Sequence, residues 1–353
     1  MSTTFIPFMR PLTLGEVLDQ AIRLYRRNFL TFVGIIAIPY IPLTLIQTGL
    51  TYLSTSSATS ILDNPSPTFS LPSGYFVGLI GIILVGLLQF LLVNGVAAAA
   101  LTRAVADNYT GQPVDILGSF GKIGSLWMRL LGALLLFILI IIVGIIWAVF
   151  IPCVGWLTGP GLLVFLGIVV IPLTAPVVVL ERHDVLASMR RAWDLSRSRF
   201  WWLLGFAFVL SLLAQLIITG PTYIINLIMQ YFLLNQGDYV TYLTWQSVIQ
   251  TFVQMLGGLL YLPLQLTAMT VVYLDLRVRS EGLDLAMQAA ANAGTEANII
   301  SVAETSPQPT GNLITGTEVG QFILLTMAFL AIYAILVGII VAITMAFMSA
   351  MSF

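Results

Sequence analysis

Charge is scarce in this chain: 8% of its 353 residues are charged, against about 25% in a soluble globular protein. Cysteine and histidine occur once each, as Cys153 and His183. A disulfide within the chain is therefore impossible, and a metal site built from His and Cys is all but excluded. No P-loop, nucleophile elbow, paired-His zinc motif or dinucleotide fingerprint is present. The interiors of the long apolar stretches hold no Asp, Glu, Lys, Arg or His, which argues against a proton-coupled carrier and an intramembrane protease. The expectation is a protein without catalysis, cofactor, metal or nucleic-acid partner.

What is abundant is apolar surface. Hydrophobic residues make up 59% of the chain and the mean hydropathy is +1.00, the composition of a polytopic membrane protein. Seven stretches are long enough to span, at roughly 28–53, 75–101, 126–150, 161–180, 201–220, 247–274 and 320–349. The first lacks a small-residue cleavage site and reads as a retained span.

All 14 basic residues fall in four places: before span one, around 103–129, at 182–199, and at Arg277 and Arg279. The loops near 54–74, 151–160 and 235–246 have none. Every second loop is positive, so the positive-inside rule puts the N-terminus in the cytoplasm, and counting spans puts the C-terminus outside.

Helices with one charged face precede several spans. Thr13 and Glu16 have capping-box spacing, and Leu14, Val17, Leu18, Ala21, Ile22, Tyr25 and Phe29 recur on one face. Glu16, Asp19, Arg23, Arg26 and Arg27 occupy the other. Such a cuff can lie in the membrane interface with its apolar side among the acyl chains. A second, weaker cuff is expected at Pro113 to Ser125, starting at Pro113. A third is expected at Asp184 to Arg199, with Arg190, Arg191, Asp194 and Arg197 facing away from its apolar side. After each cuff an aromatic residue is followed five positions later by glycine: Phe29 and Gly34, Trp127 and Gly132, Phe200 and Gly205. Spans one to six therefore read as three cuff-plus-hairpin units.

Pro39 and Pro42 predict a kink in span one, and Gly220-Pro221 predicts the end of span five, with 222–234 lying flat or partly re-entering. Residues 54–73 read as a flexible external loop. Gln89, Asn94, Gln215, Asn226, Gln254 and Gln265 are expected to serve as hydrogen bonds between helices. Residues 288–318, rich in small and polar residues and without a basic one, read as a flexible cytoplasmic linker. The fold expected is an all-α integral membrane bundle: a six-span domain over 1–287, that linker, and a C-terminal span at 319–353 tethered at a distance.

The segments RPLTLGEVLDQAIRLYRRNF (Arg10 to Phe29), VLERHDVLASMRRAWDLSRSRFWWLLG (Val179 to Gly205) and YLDLRVRSEGLDL (Tyr273 to Leu285) resemble the glycerophosphoryl diester phosphodiesterase membrane-domain family of bacteria. The resemblance covers about the first 285 residues, mostly through cytoplasmic motifs. It implies a multi-pass protein of the bacterial plasma membrane, a membrane module without the phosphodiesterase barrel, and it carries no catalytic residues to transfer.

The concentrated polar feature is the cytoplasmic rim. Arg23, Arg26, Arg27, Arg190, Arg191, Arg197, Arg199, Arg277 and Arg279 are the candidate residues for an anionic lipid headgroup or a partner, with acids such as Glu181, Asp275 and Glu281 interspersed. The expected function is a non-catalytic scaffold or accessory subunit that engages anionic lipid and a membrane-protein partner or a second copy. The alternative is a carrier or scramblase for a lipid or glycerophosphodiester.

Overall fold

The structure, a computed structural model, describes residues 10–63, 72–109, 111–231, 239–292, 302–303 and 314–351. Seven helical stretches among these are long and apolar enough to cross a membrane: Phe29–Thr59, Ser73–Tyr109, Leu126–Phe150, Val154–Glu181, Phe200–Met229, Trp245–Glu281 and Gly316–Ile339.

In chain order the helices are α1 (Leu14–Arg27), α2 (Phe29–Asp63), α3 (Ser73–Leu91), α4 (Ala98–Tyr109), α5 (Ile116–Gly121), α6 (Leu126–Phe150), α7 (Val154–Phe165), α8 (Ile171–Glu181), α9 (Val185–Ser198), α10 (Phe200–Ala214), α11 (Gly220–Met229), α12 (Tyr239–Glu281), α13 (Leu283–Asn292) and α14 (Gly316–Met351). Three of the spans are built from two helices joined without a break through a π-helical turn, at Leu92–Ala97, Leu166–Val170 and Gln215–Thr219. Proline explains two of these turns. Pro172 and Pro221 each follow two residues behind, and a proline lacks an N–H and crowds the carbonyl four residues back. Widening the turn to i→i+5 removes the clash and keeps the helix going. Span five therefore does not end at Gly220-Pro221. Pro221 lies in the first turn of α11, which continues the span to Met229. Pro39 and Pro42 likewise lie inside a single helix, and that helix runs on past Leu53 to Asp63, into the expected loop at 54–73, where 64–71 lie outside the described residues.

The long spans project. α12 has 43 residues, about 64 Å at 1.5 Å per residue, twice a hydrocarbon core of about 30 Å. At one end of the bundle α4, α8 and the last third of α12 pack against one another. Every residue of α8 is buried, as is every residue from Leu266 to Val278. A helix apolar all round needs neighbours on every side once it leaves lipid. Here they are supplied by the short helices: α1 packs on α12, α5 on α4 and α9 on α8. A hydroxyl pair, Thr102 and Thr270 at 3.5 Å, joins α4 to α12 inside this collar.

The cuffs begin as their chemistry dictates. Thr13 caps α1, and Glu16 Oε2 accepts from the Thr13 N–H at 2.8 Å, completing the capping box. The second cuff is shorter than expected. It starts not at Pro113 but after Asp115, whose side chain accepts from the Gly118 N–H at 3.0 Å, and it stops at Gly121, before Gly124 at φ +54°. The third differs more. α9 folds back along α8 and is buried on both sides, with Ser188, Arg191 and Ser196 covered as well as Met189 and Trp193.

The linker and span seven are also closer than expected. Residues 288–292 belong to α13, and Ala303 is buried, its carbonyl accepting from Arg277 Nη1 at 3.1 Å; 293–301 and 304–313 lie outside the described residues. The first turns of α14 pack on α7. Phe322 joins Phe165, Trp193 and Phe200 in a ring cluster, and the Gly161 N–H donates to Thr326 Oγ1 at 2.9 Å. A Cβ on Gly161 would lie 2.2 Å from the Phe322 carbonyl oxygen, so glycine is required for this approach. The span is docked through its N-terminal half. Its contact residues, glycine, phenylalanine and threonine, carry no signal in an apolar sequence.

Candidate functional site

Two polar features stand out, one in the collar and one within the spans. In the collar each inner helix ends near a buried acid: Asp107 on α4, Glu181 on α8 and Asp275 on α12. Glu181 is the most enclosed. Its carboxylate accepts from the Tyr273 hydroxyl at 2.8 Å and Arg191 Nε at 2.9 Å, with Arg277 Nη1 at 3.5 Å and His183 Nε2 at 3.3 Å. Glu281 binds the same two arginines, Arg277 Nε at 2.7 Å and Arg191 Nη2. Burial alone would lower the Arg191 pKa, but Glu181 and Glu281 outweigh it and hold this guanidinium above its ordinary value.

Asp275 holds Arg279 Nε at 2.9 Å, lies 3.7 Å from Arg199 Nη1, and accepts from the Leu12 N–H at 2.7 Å, while Arg279 Nη2 donates to the Leu12 carbonyl. The segment leading into α1 is thereby clipped to α12. Burial and the neighbouring Arg279 lower the Arg199 pKa, and its guanidinium lies 4.7 Å from the centre of the Trp202 ring. Asp107 pairs with Arg103 at 3.1 Å and Lys122 at 2.7 Å. Arg197 bridges Asp194 at 2.9 Å and Glu318 of α14 at 3.2 Å. Burial raises the Asp194 pKa despite Arg197, Arg190 and Arg191 nearby.

Of the nine candidate arginines, Arg191, Arg197, Arg199, Arg277 and Arg279 are thus engaged by the chain's own carboxylates in separate clusters. They do not converge on one open anion site. Arg191, expected to face away, is buried, because its partners arrive from 10 and 90 residues along the chain and leave no mark in local periodicity. Arg190 is half-buried beside Asp194. Arg23, Arg26 and Arg27 are exposed on α1 and make no ion pair among the described residues, opposite the buried Val17, Ala21 and Tyr25. Asp107 was missed by the sequence reading. Its i,i+4 spacing to Arg103 was the available signal.

The second feature is a half-open cleft of about 340 Å³ over α2, which packs against both α3 and α12. Tyr40, Thr44, Gln47 and Thr51 line it from α2, and Gln89 from α3. Ser247, Gln250, Thr251, Gln254 and Met255 line it from α12. The spacings of three, four and seven put each set on one helical face. Gln89 Nε2 donates to Thr44 Oγ1 at 3.3 Å, the interhelical bond expected of it. Gln254 does not follow suit: the side chains of Gln47, Gln250 and Gln254 have no hydrogen-bond partner among the described residues. Gln47 and Gln250 are half-buried and Gln254 is exposed, so these amides are open to whatever fills the cleft. Asn226 accepts from Gln246 at 3.2 Å, as an interhelical bond, whereas Asn94 bonds back to Phe90 of its own helix.

Among the described residues no group of His, Cys, Asp and Glu could hold a metal ion. Comparison of the chain with family models, curated proteins and solved structures finds no match in any of the three.

Proposed function

We propose that the chain is a non-catalytic membrane scaffold or accessory subunit, built of three cuff-plus-hairpin units, that engages anionic lipid through α1 and presents a collar to a partner membrane protein. The observation that carries this reading is the trio Arg23, Arg26 and Arg27, exposed and without carboxylate partners among the described residues, on a helix whose other face is fixed to α12. Each such arginine near an anionic surface contributes about 1 kcal/mol of attraction. The three units are supported by the packing of each cuff chiefly on a different inner helix, and by the buried acid near the end of each inner helix. The resemblance to a membrane module without its hydrolase agrees with this reading. The test is native mass spectrometry of the protein released from mixed phosphatidylglycerol and phosphatidylcholine nanodiscs. Wild type should retain phosphatidylglycerol in preference, and Arg23→Gln, Arg26→Gln, Arg27→Gln combined should lose that preference. Equal retention by both would overturn the lipid half of the proposal.

A second reading is a carrier or scramblase for a lipid or glycerophosphodiester-type substrate; the cleft favours its lipid form, since the phosphate of a glycerophosphodiester would meet no cationic side chain in the lining. Movement of a labelled lipid between leaflets of proteoliposomes, absent from protein-free vesicles, is the outcome this reading requires.

A further inference from the structure

We propose that the cleft over α2 is a binding site for an uncharged, hydroxyl-rich group: a sugar or glycerol, carried on a lipid or free. The proposal shares its cleft with the carrier reading but requires binding only, not movement across the bilayer.

The cleft runs from Tyr40, about 16 Å along α2 from Phe29, to Thr51, about 33 Å along it, and on α12 it begins at Ser247, near the start of that span, so it occupies the half of the spans away from the charged rim. Its lining contains no Asp, Glu, Lys, Arg or His, only amides, hydroxyls (one of them the Tyr40 phenol) and one thioether. An anion or cation would find no counter-charge there and would have to shed its hydration. An acyl chain would leave Gln47, Gln250 and Gln254 unpaired. Amides offer both donors and acceptors, as do hydroxyls, and a polyol offers the complementary set of each. The volume, about 340 Å³, exceeds what bridging water needs, since roughly 30 Å³ suffices for each water. It falls within the ordinary range of small-ligand pockets, roughly 300–1,000 Å³.

One wall of the cleft depends on a glycine. The Tyr40 hydroxyl rests so close to Gly258 that a Cβ there would lie 2.2 Å from it. Gly258→Ala therefore displaces the Tyr40 ring and reshapes the cleft without removing any amide.

The experiment uses the full chain in nanodiscs and has two arms. In the first, native mass spectrometry compares retention of a monoglycosyl diacylglycerol with that of phosphatidylserine of the same acyl chains. In the second, glucose and glycerol are titrated calorimetrically into the same nanodiscs. Preference for the glycolipid alone identifies a lipid-borne headgroup, and heat from the free polyols identifies a soluble ligand; either supports the proposal. Gln250→Leu with Gln254→Leu should weaken the positive arm on the order of tenfold. The same double variant should leave the melting temperature close to that of wild type, because neither amide side chain has a hydrogen-bond partner among the described residues. Gly258→Ala should also weaken binding. No binding in either arm means a cleft that holds water alone, and overturns the proposal. So does binding that the double variant leaves unchanged. Binding without lipid movement between leaflets would remove the carrier reading and leave this one standing.

Discussion

The Glu181 side chain has no exposed surface, and its carboxylate lies within reach of two guanidiniums, a phenol and an imidazole. Such a cluster adds little net stability over an apolar core, yet removing one partner strands the others. Glu181→Gln should therefore destabilise the protein by about 3 kcal/mol, the low end for a broken buried pair because Glu281 still holds Arg191 and Arg277. Thermal unfolding in detergent would show it, with Arg23→Gln as a near-neutral control. Glu16 gives a pH effect of known sign. The Thr13 backbone and hydroxyl bonds, then Arg10, hold its pKa below the ordinary 4.5. Its contribution to the start of α1 is present above 4.5 and is lost as pH falls through the lower folded value. Protection of the Thr13 and Glu16 amides, measured against their intrinsic exchange rates at each pH, should fall on acidification below 4.5, and Glu16→Gln should abolish that dependence.

At the scale of elements, what a proline or glycine does is decided by its context. The spans, the capping box and the alternation of basic loops were legible because they follow from composition and from spacing within one helix. The continuity of span five was not, because Pro221 reads as a stop until a π turn is seen ahead of it. The cleft's stripe on α12, Ser247, Gln250, Thr251 and Gln254, was readable as a polar face within an apolar run. Its pairing with Tyr40, Thr44 and Gln47 joins helices about 200 residues apart, beyond the reach of local spacing. The docking of α14 was equally hidden, since it depends on Gly161. Gly161→Val should expel the N-terminal half of α14 from α7. With a protease site inserted between residues 304 and 313, the fragment carrying α14 should co-purify with the wild-type body after cleavage and separate from the variant. Co-purification in both would show that Gly161 does not control the contact.

For the whole molecule, α4, α8 and the last third of α12 pack together at one end of the bundle, and the short helices α1, α5 and α9 cover them. This collar explains why acids and arginines can be buried beside helices that otherwise resemble lipid-facing ones. It also places the exposed face of α1 at the same end, so the lipid proposal and the arrangement of charge stand together. The sidedness expected from the basic loops is a proposal that a single labelling experiment tests. Cys153, the one cysteine, is exposed in the turn between α6 and α7, at the opposite end of the α7–α8 span from the buried Glu181. In intact cells, a membrane-impermeant maleimide added outside should label native Cys153. It should fail to label Arg23→Cys in a Cys153→Ser background until the membrane is opened. Labelling of Arg23→Cys from outside, with Cys153 protected, would contradict the orientation and the lipid engagement built on it.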